Sequence, residues 1–306
     1  MAAPLLAQQA PQFTEIQRLT NREMALKLSA ATGLNYRIEA STNLLQWNGW
    51  LTLLSTGTGL SQQTDSAAPF YIERYYRALQ LTGTNLLTGD HLVTDDGDVI
   101  IHPVDHAGFV MNWNGKYIYN DPVSGSFAGI PKADLILISH SHSDHFSTST
   151  LDAVRKTNSI LIAPQAVFSA MTTAQRNLTV VMANNTTTNV LGLTVQAIPA
   201  YNSNHPLGTG NGYVLTIGGK RIFASGDTGN IAEMRALTNI DVAFVCINTP
   251  FTMTVPDATN AVRAFTPKVV YPYHYRNQDG TTGNAAQFKQ QLGADAGVEV
   301  RLRKWY

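Results

Sequence analysis

The segment Ile138-Ser139-His140-Ser141-His142-Ser143-Asp144-His145 places three imidazoles and a carboxylate within six residues, directly after the apolar run Leu135 to Ile138. Imidazole and carboxylate together are the ligand set suited to zinc, and they also serve manganese or iron. If the strand persists, His140 and His142 share one side. A turn starting near Ser143 would swing Asp144 and His145 toward a neighbouring point. One loop could therefore feed two cations, the first through His140 and His142, the second through Asp144 and His145. The competing reading is a merely polar, hydrogen-bonded turn; the density of ligands after a buried strand favours metal.

One loop cannot complete two coordination shells, so further ligands are expected downstream. His205 follows a strand through Ile198; Asp227 lies in Ala224-Ser225-Gly226-Asp227-Thr228-Gly229; His274 closes the apolar run that begins at Val269. Each falls at an expected strand end, which is how a shared site at one sheet edge is assembled.

These residues must be positioned by a scaffold whose grammar changes along the chain. Residues 13–82 read as an all-β module. Met24, Leu26 and Leu28, then Tyr36, Ile38 and Ala40, alternate with polar neighbours, and further strands are expected at 50–54 and 74–79. Tyr36 and Trp47 fit the core of a small sandwich. From 83 to 306 hairpins alternate with helices expected at 149–156, 164–173, 231–237, 256–265 and 285–292. Gly108 to Tyr119 is echoed by Gly212 to Phe223, each a strand, an Asn-Gly or Gly-Gly turn and a return strand, followed by Asp121 or Asp227. A duplicated unit of this kind implies an α/β fold in which two sheets pack face to face between helices, an αββα sandwich.

Composition narrows the function. With 21 basic and 21 acidic residues among 306 there is no excess charge to recruit nucleic acid, and no apolar run is long enough to span a membrane. The 44% hydrophobic content can build a sizeable core. The single cysteine, Cys246, lies in an apolar run and reads as a buried strand residue, so no disulfide framework exists. Residues 1–12 read as a disordered terminus or the remnant of an export signal, which points to a secreted or periplasmic location.

The His-x-His-x-Asp-His loop with the later His205, Asp227 and His274 resembles the metallo-β-lactamase superfamily over about 86–306. Asp105 to Phe109, Asp121-Pro122, Gly210 to Val214 and Tyr271 to Tyr275 look most like the branch of ascorbate-6-phosphate lactonase and N-acyl-phosphatidylethanolamine phospholipase D. Tyr36 to Trp47 and Glu73 to Ala78 resemble fibronectin type III-like modules of secreted bacterial proteins. The superfamily resemblance implies one metal at His140, His142 and His205, a second at Asp144, His145 and His274, and Asp227 bridging both. It makes Asp121 a buttress of the metal-binding loop, where an Asp-Pro turn is the alternative. It places His106 near the site mouth, where hydrogen bonding within the core is the alternative. His91 and His102 read as structural or solvated.

Two close divalent ions, zinc first and manganese or iron otherwise, generate hydroxide from shared water at neutral pH and polarise a carbonyl or phosphoryl oxygen. The expected activity is hydrolysis of a small-molecule lactone, phosphodiester or related ester or amide, with Asp144 and Asp227 as the catalytic candidates. Tyr201, Asn202, Tyr273, Tyr275 and Arg276 are candidates for the pocket wall, each equally readable as packing or outer support. Two other readings stand beside this one. A mononuclear iron oxygenase of the same superfamily would need only part of the ligand set. A catalytically silent adhesion protein, docking a polysaccharide or envelope surface through the β module, would show a broken set.

Overall fold

The computed structural model describes residues 10–82, 87–293 and 296–306. The expected terminal remnant therefore lies mostly outside the described residues, as do positions 83–86 of the expected joint. The chain divides into two compact units.

The first unit, up to Val93 and again over Asp98–His102, is all-β. Strands β1 (Gln12–Arg18), β2 (Met24–Ser29) and β5 (Leu60–Asp65) form one antiparallel sheet in the order β1-β2-β5. Strands β3 (Asn35–Ser41), β4 (Asn48–Leu54), β6 (Tyr75–Gln80), β7 (Gly89–Leu92) and the start of β8 (Val99–Asp105) pair antiparallel in the order β6-β3-β4-β7-β8. The alternating residues meet as expected. Leu26, Leu28, Tyr36, Ile38, Trp50 and Leu53 form one buried cluster drawn from both sheets. Trp47 is not in it: its ring is half-buried at the surface, with the Arg77 guanidinium 4.5 Å from its centre, because it precedes β4 instead of facing inward from it. Trp50 occupies the core place.

The second unit, Thr94–Gly97 and Pro103–Tyr306, carries two mixed sheets. In the first, β9 (Gly108–Trp113), β10 (Lys116–Asn120), β11 (Ala133–Leu137), β12 (Arg155–Ala163) and β13 (Thr179–Val181) lie in reverse sequence order; β9 and β10 form a hairpin and the rest run parallel. In the second, β14 (Thr187–Val190), β15 (Leu193–Ala200), β16 (Gly210–Ile217), β17 (Lys220–Ala224), β18 (Val242–Cys246), β19 (Val269–Tyr273) and β20 (Glu299–Val300) lie in sequence order, antiparallel through β17 and parallel beyond.

Both expected hairpins are present. Asn114 and Gly115 have φ of +49° and +76°, Gly218 and Gly219 +50° and +78°. Two successive left-handed residues make the turn whose twist matches the flanking strands. The sheets meet through aromatic rings: Phe109 on β9 stacks on Phe244 of β18 with centroids 4.0 Å apart, and Tyr271, Tyr273 and Trp305 close around the pair.

The helices are short: α1 (Thr148–Val154), α2 (Gln165–Ala170), α3 (Thr173–Arg176), α4 (Ala232–Arg235), α5 (Val255–Phe265) and α6 (Asn284–Leu292). All five expected helical segments contain one. The longest, α5, starts where the Thr254 hydroxyl accepts the Asp257 N–H and Pro256 fits the first turn. It buries Ala258, Ala261, Val262 and Phe265, the last edge-on to Phe223 of β17. Among the described residues no helix is long and apolar enough to cross a membrane.

Parallel pairing has one consequence for function. Strands β10, β11, β17, β18 and β19 send their carboxyl ends the same way within their sheets, and β15 joins them because two antiparallel steps separate it from β17. The loops after these ends carry all the candidate ligands.

Candidate metal centre

The loop after β11 is pinned before it turns. Ser139 donates its N–H to Asp121 Oδ1 and its hydroxyl to Oδ2, both at 2.7 Å, and its carbonyl accepts the Asn211 N–H. The Tyr213 hydroxyl donates to the Ile138 carbonyl. Beyond Ser139 the chain coils so that the His145 and Phe146 N–H groups both donate to the His142 carbonyl, bringing Asp144 and His145 back over the strand end.

The seven candidate ligands converge. Asp227 is their centre, and its two oxygens face different partners. Oδ2 lies 3.5 Å from His205 Nε2 and 3.9 Å from His140 Nε2; Oδ1 lies 3.4 Å from His145 Nε2 and 3.5 Å from His274 Nε2. On the first side His142 joins, its Nδ1 3.2 Å from His205 Nε2. On the second side Asp144 Oδ2 lies 3.7 Å from His145 Nε2 and 3.6 Å from His274 Nε2. His106, expected only near the mouth, belongs to this second group, with Nε2 3.0 Å from Asp144 Oδ2.

Four buried atoms here have no hydrogen-bond partner: Nε2 of His140, His145 and His274, and Oδ1 of Asp227. Buried polar atoms are normally satisfied, and several orphaned ligand-type atoms aimed at each other are what a set able to hold a cation presents. The opposite ring nitrogens are engaged. His145 Nδ1 donates to Asp121 Oδ2 at 2.9 Å, His205 Nδ1 to Asn202 Oδ1 at 3.0 Å, and His140 Nδ1 lies 3.0 Å from the Ser139 hydroxyl. Those contacts leave the Nε2 atoms of these rings facing inward, as ligand histidines require. The residues form a His/Asp cluster that fits metal binding.

Electrostatics point the same way. Burial pushes His140 down to about 2, and burial also lowers His205 and His106. Burial alone would raise Asp227, but His274, His145 and His140 around it hold it well below the usual carboxylate range. Asp144 is low for a related reason: burial is outweighed by the hydrogen bond from His106 and by the nearby His274 and His145 imidazoles. Burial opposes charge on His145, yet Asp227 and Asp121 beside it drive its pKa well up. Neutral imidazoles at His140 and His205 beside ionised Asp227 and Asp144 are protonation states that bind metal, whereas a cation would have to displace the proton that Asp227 and Asp121 favour on His145.

Residues 101–274 match the family described as the beta-lactamase superfamily domain. The chain belongs to the beta-lactamase superfamily. Within this superfamily it is 28% identical over 208 residues to the UPF0173 metal-dependent hydrolase of Thermococcus onnurineus, an alignment covering 64% of this chain and 92% of that one. A Thermus thermophilus relative of the same name is 31% identical over 197 residues, covering 61% and 85%, which places the chain in that metal-dependent hydrolase family. A crystal structure from Parabacteroides distasonis, of a protein designated a metal-dependent hydrolase, is 35% identical with a TM-score of 0.63, covering 72% of this chain and all of that one. The diiron β-hydroxylase CmlA of Streptomyces venezuelae covers 92% of this chain and 68% of its own at 16% identity and a TM-score of 0.55, a likeness of fold alone.

The site opens into a cavity of about 460 Å³ lined by five of the seven candidate ligands, His142, Asp144, His205, Asp227 and His274, together with His106, Ser143, Asn204, Asn248 and Phe251. The other expected wall residues stand behind it. The Tyr201 hydroxyl bonds Glu233, Asn202 braces His205, the Tyr275 hydroxyl donates to the Arg303 carbonyl, and Arg276 lies over the Tyr306 ring and beside Asp105. Tyr273 is fully buried, its hydroxyl accepting the Gly226 N–H. Asn204, Asn248 and Phe251 went unanticipated because loop asparagines read as turn formers and a lone loop Phe carries no periodic signal. The remaining histidines are structural: His91 bonds Thr52 and Asp98, and His102 bonds Thr88.

Proposed function

We propose that this chain is a hydrolase working with two divalent cations, one held by His140, His142 and His205, the other by Asp144, His145 and His274, with Asp227 shared between them. The observation that carries this is the split of Asp227: Oδ2 toward His205 and His140, Oδ1 toward His145 and His274, all four contacts between 3.4 and 3.9 Å. Cations held there would lower the pKa of a bound water toward neutrality and polarise a carbonyl or phosphoryl oxygen. Zinc is the first expectation for the donor set, with manganese or iron next.

The chain's own residues supply the rest. Asp144 has a side chain half exposed to the cavity, so its carboxylate can steer the attacking group or pass a proton to the departing oxygen. Asn204, Asn248 and Ser143 offer neutral polar contacts and Phe251 an apolar face. No Lys or Arg is among the lining residues, and Arg276 is engaged with Tyr306 and Asp105. An uncharged lactone or ester suits such a wall better than a phosphodiester, within the lactonase and phospholipase D branch that the motifs resemble. In the same reading, residues 83–306 form the catalytic domain and 13–82 an appended fibronectin type III-like module.

The test is metal content by elemental analysis of the purified chain, followed by turnover of a panel of γ- and δ-lactones, aryl esters and bis(p-nitrophenyl) phosphate. Two equivalents with lactone turnover support the reading. Iron near one equivalent with oxygen consumption would replace it by an oxygenase, and preferential phosphodiester cleavage would overturn the substrate assignment.

A further inference from the structure

His106 stands in a left-handed backbone conformation, φ +55°, which a residue with a Cβ adopts only when its surroundings hold it there. Two backbone bonds do so. Its N–H donates to the Trp305 carbonyl, and its own carbonyl accepts the N–H of His274, itself at φ +48°. The imidazole then lies over that of His274 with centroids 3.8 Å apart.

The side-chain bonds run in one direction. The Arg276 N–H donates to the Tyr306 hydroxyl oxygen at 3.3 Å. That leaves the Tyr306 proton for His106 Nδ1, 3.0 Å away, and an accepting Nδ1 places the ring proton on Nε2. Nε2, in turn, is 3.0 Å from Asp144 Oδ2. Tyr306 is itself fixed, with the Arg276 guanidinium 3.9 Å above its ring and the Tyr275 ring edge-on at 5.1 Å. Asp144 needs such a brace: unlike His140, His145, His205, Asp227 and His274 its side chain is half exposed.

We propose that Tyr306 and His106 are positioning residues for Asp144: Tyr306 fixes the His106 tautomer, and His106 holds the Asp144 carboxylate over His145 and His274. Occupancy of the second cation position is then set by an aromatic hydroxyl outside the coordination set. This rests on the two-cation reading above. Neither residue is asked to change its protonation state.

The test is titration of the metal-stripped full chain with cobalt(II), followed by calorimetry and by visible absorption, for wild type, Tyr306→Phe, His106→Ala and His106→Gln. Wild type takes two equivalents. The expected result is an unchanged first step in all variants. The second step is weakened about tenfold in Tyr306→Phe and up to about a hundredfold in His106→Ala, with an altered second-step absorption band. His106→Gln, which keeps a donor near Asp144, recovers part of the loss. An unchanged second step in both Tyr306→Phe and His106→Ala overturns the brace and leaves the two-cation reading standing. Loss in His106→Ala with a silent Tyr306→Phe makes His106 a ligand in its own right and also overturns the proposal. Equal weakening of both steps marks a general structural defect and overturns it too. Fewer than two equivalents in wild type removes the two-cation reading, and the proposal with it.

Discussion

Asp121 Oδ2 accepts a hydrogen bond from His145 Nδ1 at 2.9 Å while Oδ1 and Oδ2 together hold Ser139, so one carboxylate fixes both the start of the ligand loop and the tautomer of its last histidine. Asp121 sits at φ +40°, a conformation asparagine tolerates, which makes Asp121→Asn a substitution of charge with little backbone cost. The expected outcome is a folded protein whose second cation step weakens about 10- to 100-fold, measured by competition with a chromophoric chelator. Undiminished affinity would show that His145 needs no anionic partner.

Asp227 makes a sharper demand. It is the carboxylate whose two oxygens face both histidine groups, so Asp227→Ala should reduce metal content from two equivalents to one or fewer, whereas loss of Asp144 alone should spare the first position. Elemental analysis of the two variants, purified in parallel, checks this. Equal metal loss from both would mean that the positions do not share Asp227 in the way its geometry implies.

Much of this was legible in the sequence, for reasons that are local. Ligands clustered within 140–145 and at the ends of apolar runs announce themselves by spacing, and the Asn114-Gly115 and Gly218-Gly219 turns fix their hairpins by backbone chemistry alone. The helix expected at 149–156 ended early because Arg155 and Lys156 belong to β12, where the Lys156 N–H bonds the Ser159 hydroxyl and its ammonium pairs with Asp134. What stayed hidden depends on long-range juxtaposition. His106 and Tyr306 are 200 positions apart, and Asn204 and Phe251 reach the cavity on loops whose shape no periodicity encodes.

The aromatic stack between the sheets predicts a large energetic effect. Phe244 is fully buried, 4.0 Å from Phe109 and 5.0 Å from Tyr271 between ring centres. Phe244→Ala should cost about 3–5 kcal/mol, the sum of lost transfer energy and the cavity left between rigid sheets. Urea unfolding measures it. A cost below about 1 kcal/mol would mean that the layers close over the gap.

Gly212 predicts a route from packing to the site. A Cβ there would meet the carbonyl oxygens of Ser225 and Ala224 at 2.8 and 2.9 Å, both backbone atoms of the segment leading to Asp227. Gly212→Ala must therefore push that segment aside, at about 1–3 kcal/mol. The change should lower cation affinity together with thermal stability. A stability loss with unaltered metal binding would separate the hairpin from the position of Asp227.

The first unit, which includes Asp98–His102, should carry a pH dependence of its own. Burial lowers the pKa of His102, and its hydrogen bond to the Thr88 carbonyl offsets only part of that. Folding therefore favours the neutral ring. Below the unfolded value of about 6.5, the unfolded chain takes up a proton that the folded chain resists, so stability falls as pH drops through that value and is unaffected above it. One such group contributes at most about 1.4 kcal/mol per pH unit. His102→Asn keeps a donor for Thr88 without a titrating ring. Urea unfolding at several pH values should give parallel curves for the two proteins above about pH 7 and a shallower acid slope for the variant. Identical slopes throughout would mean that His102 becomes protonated in the folded unit as easily as in the open chain.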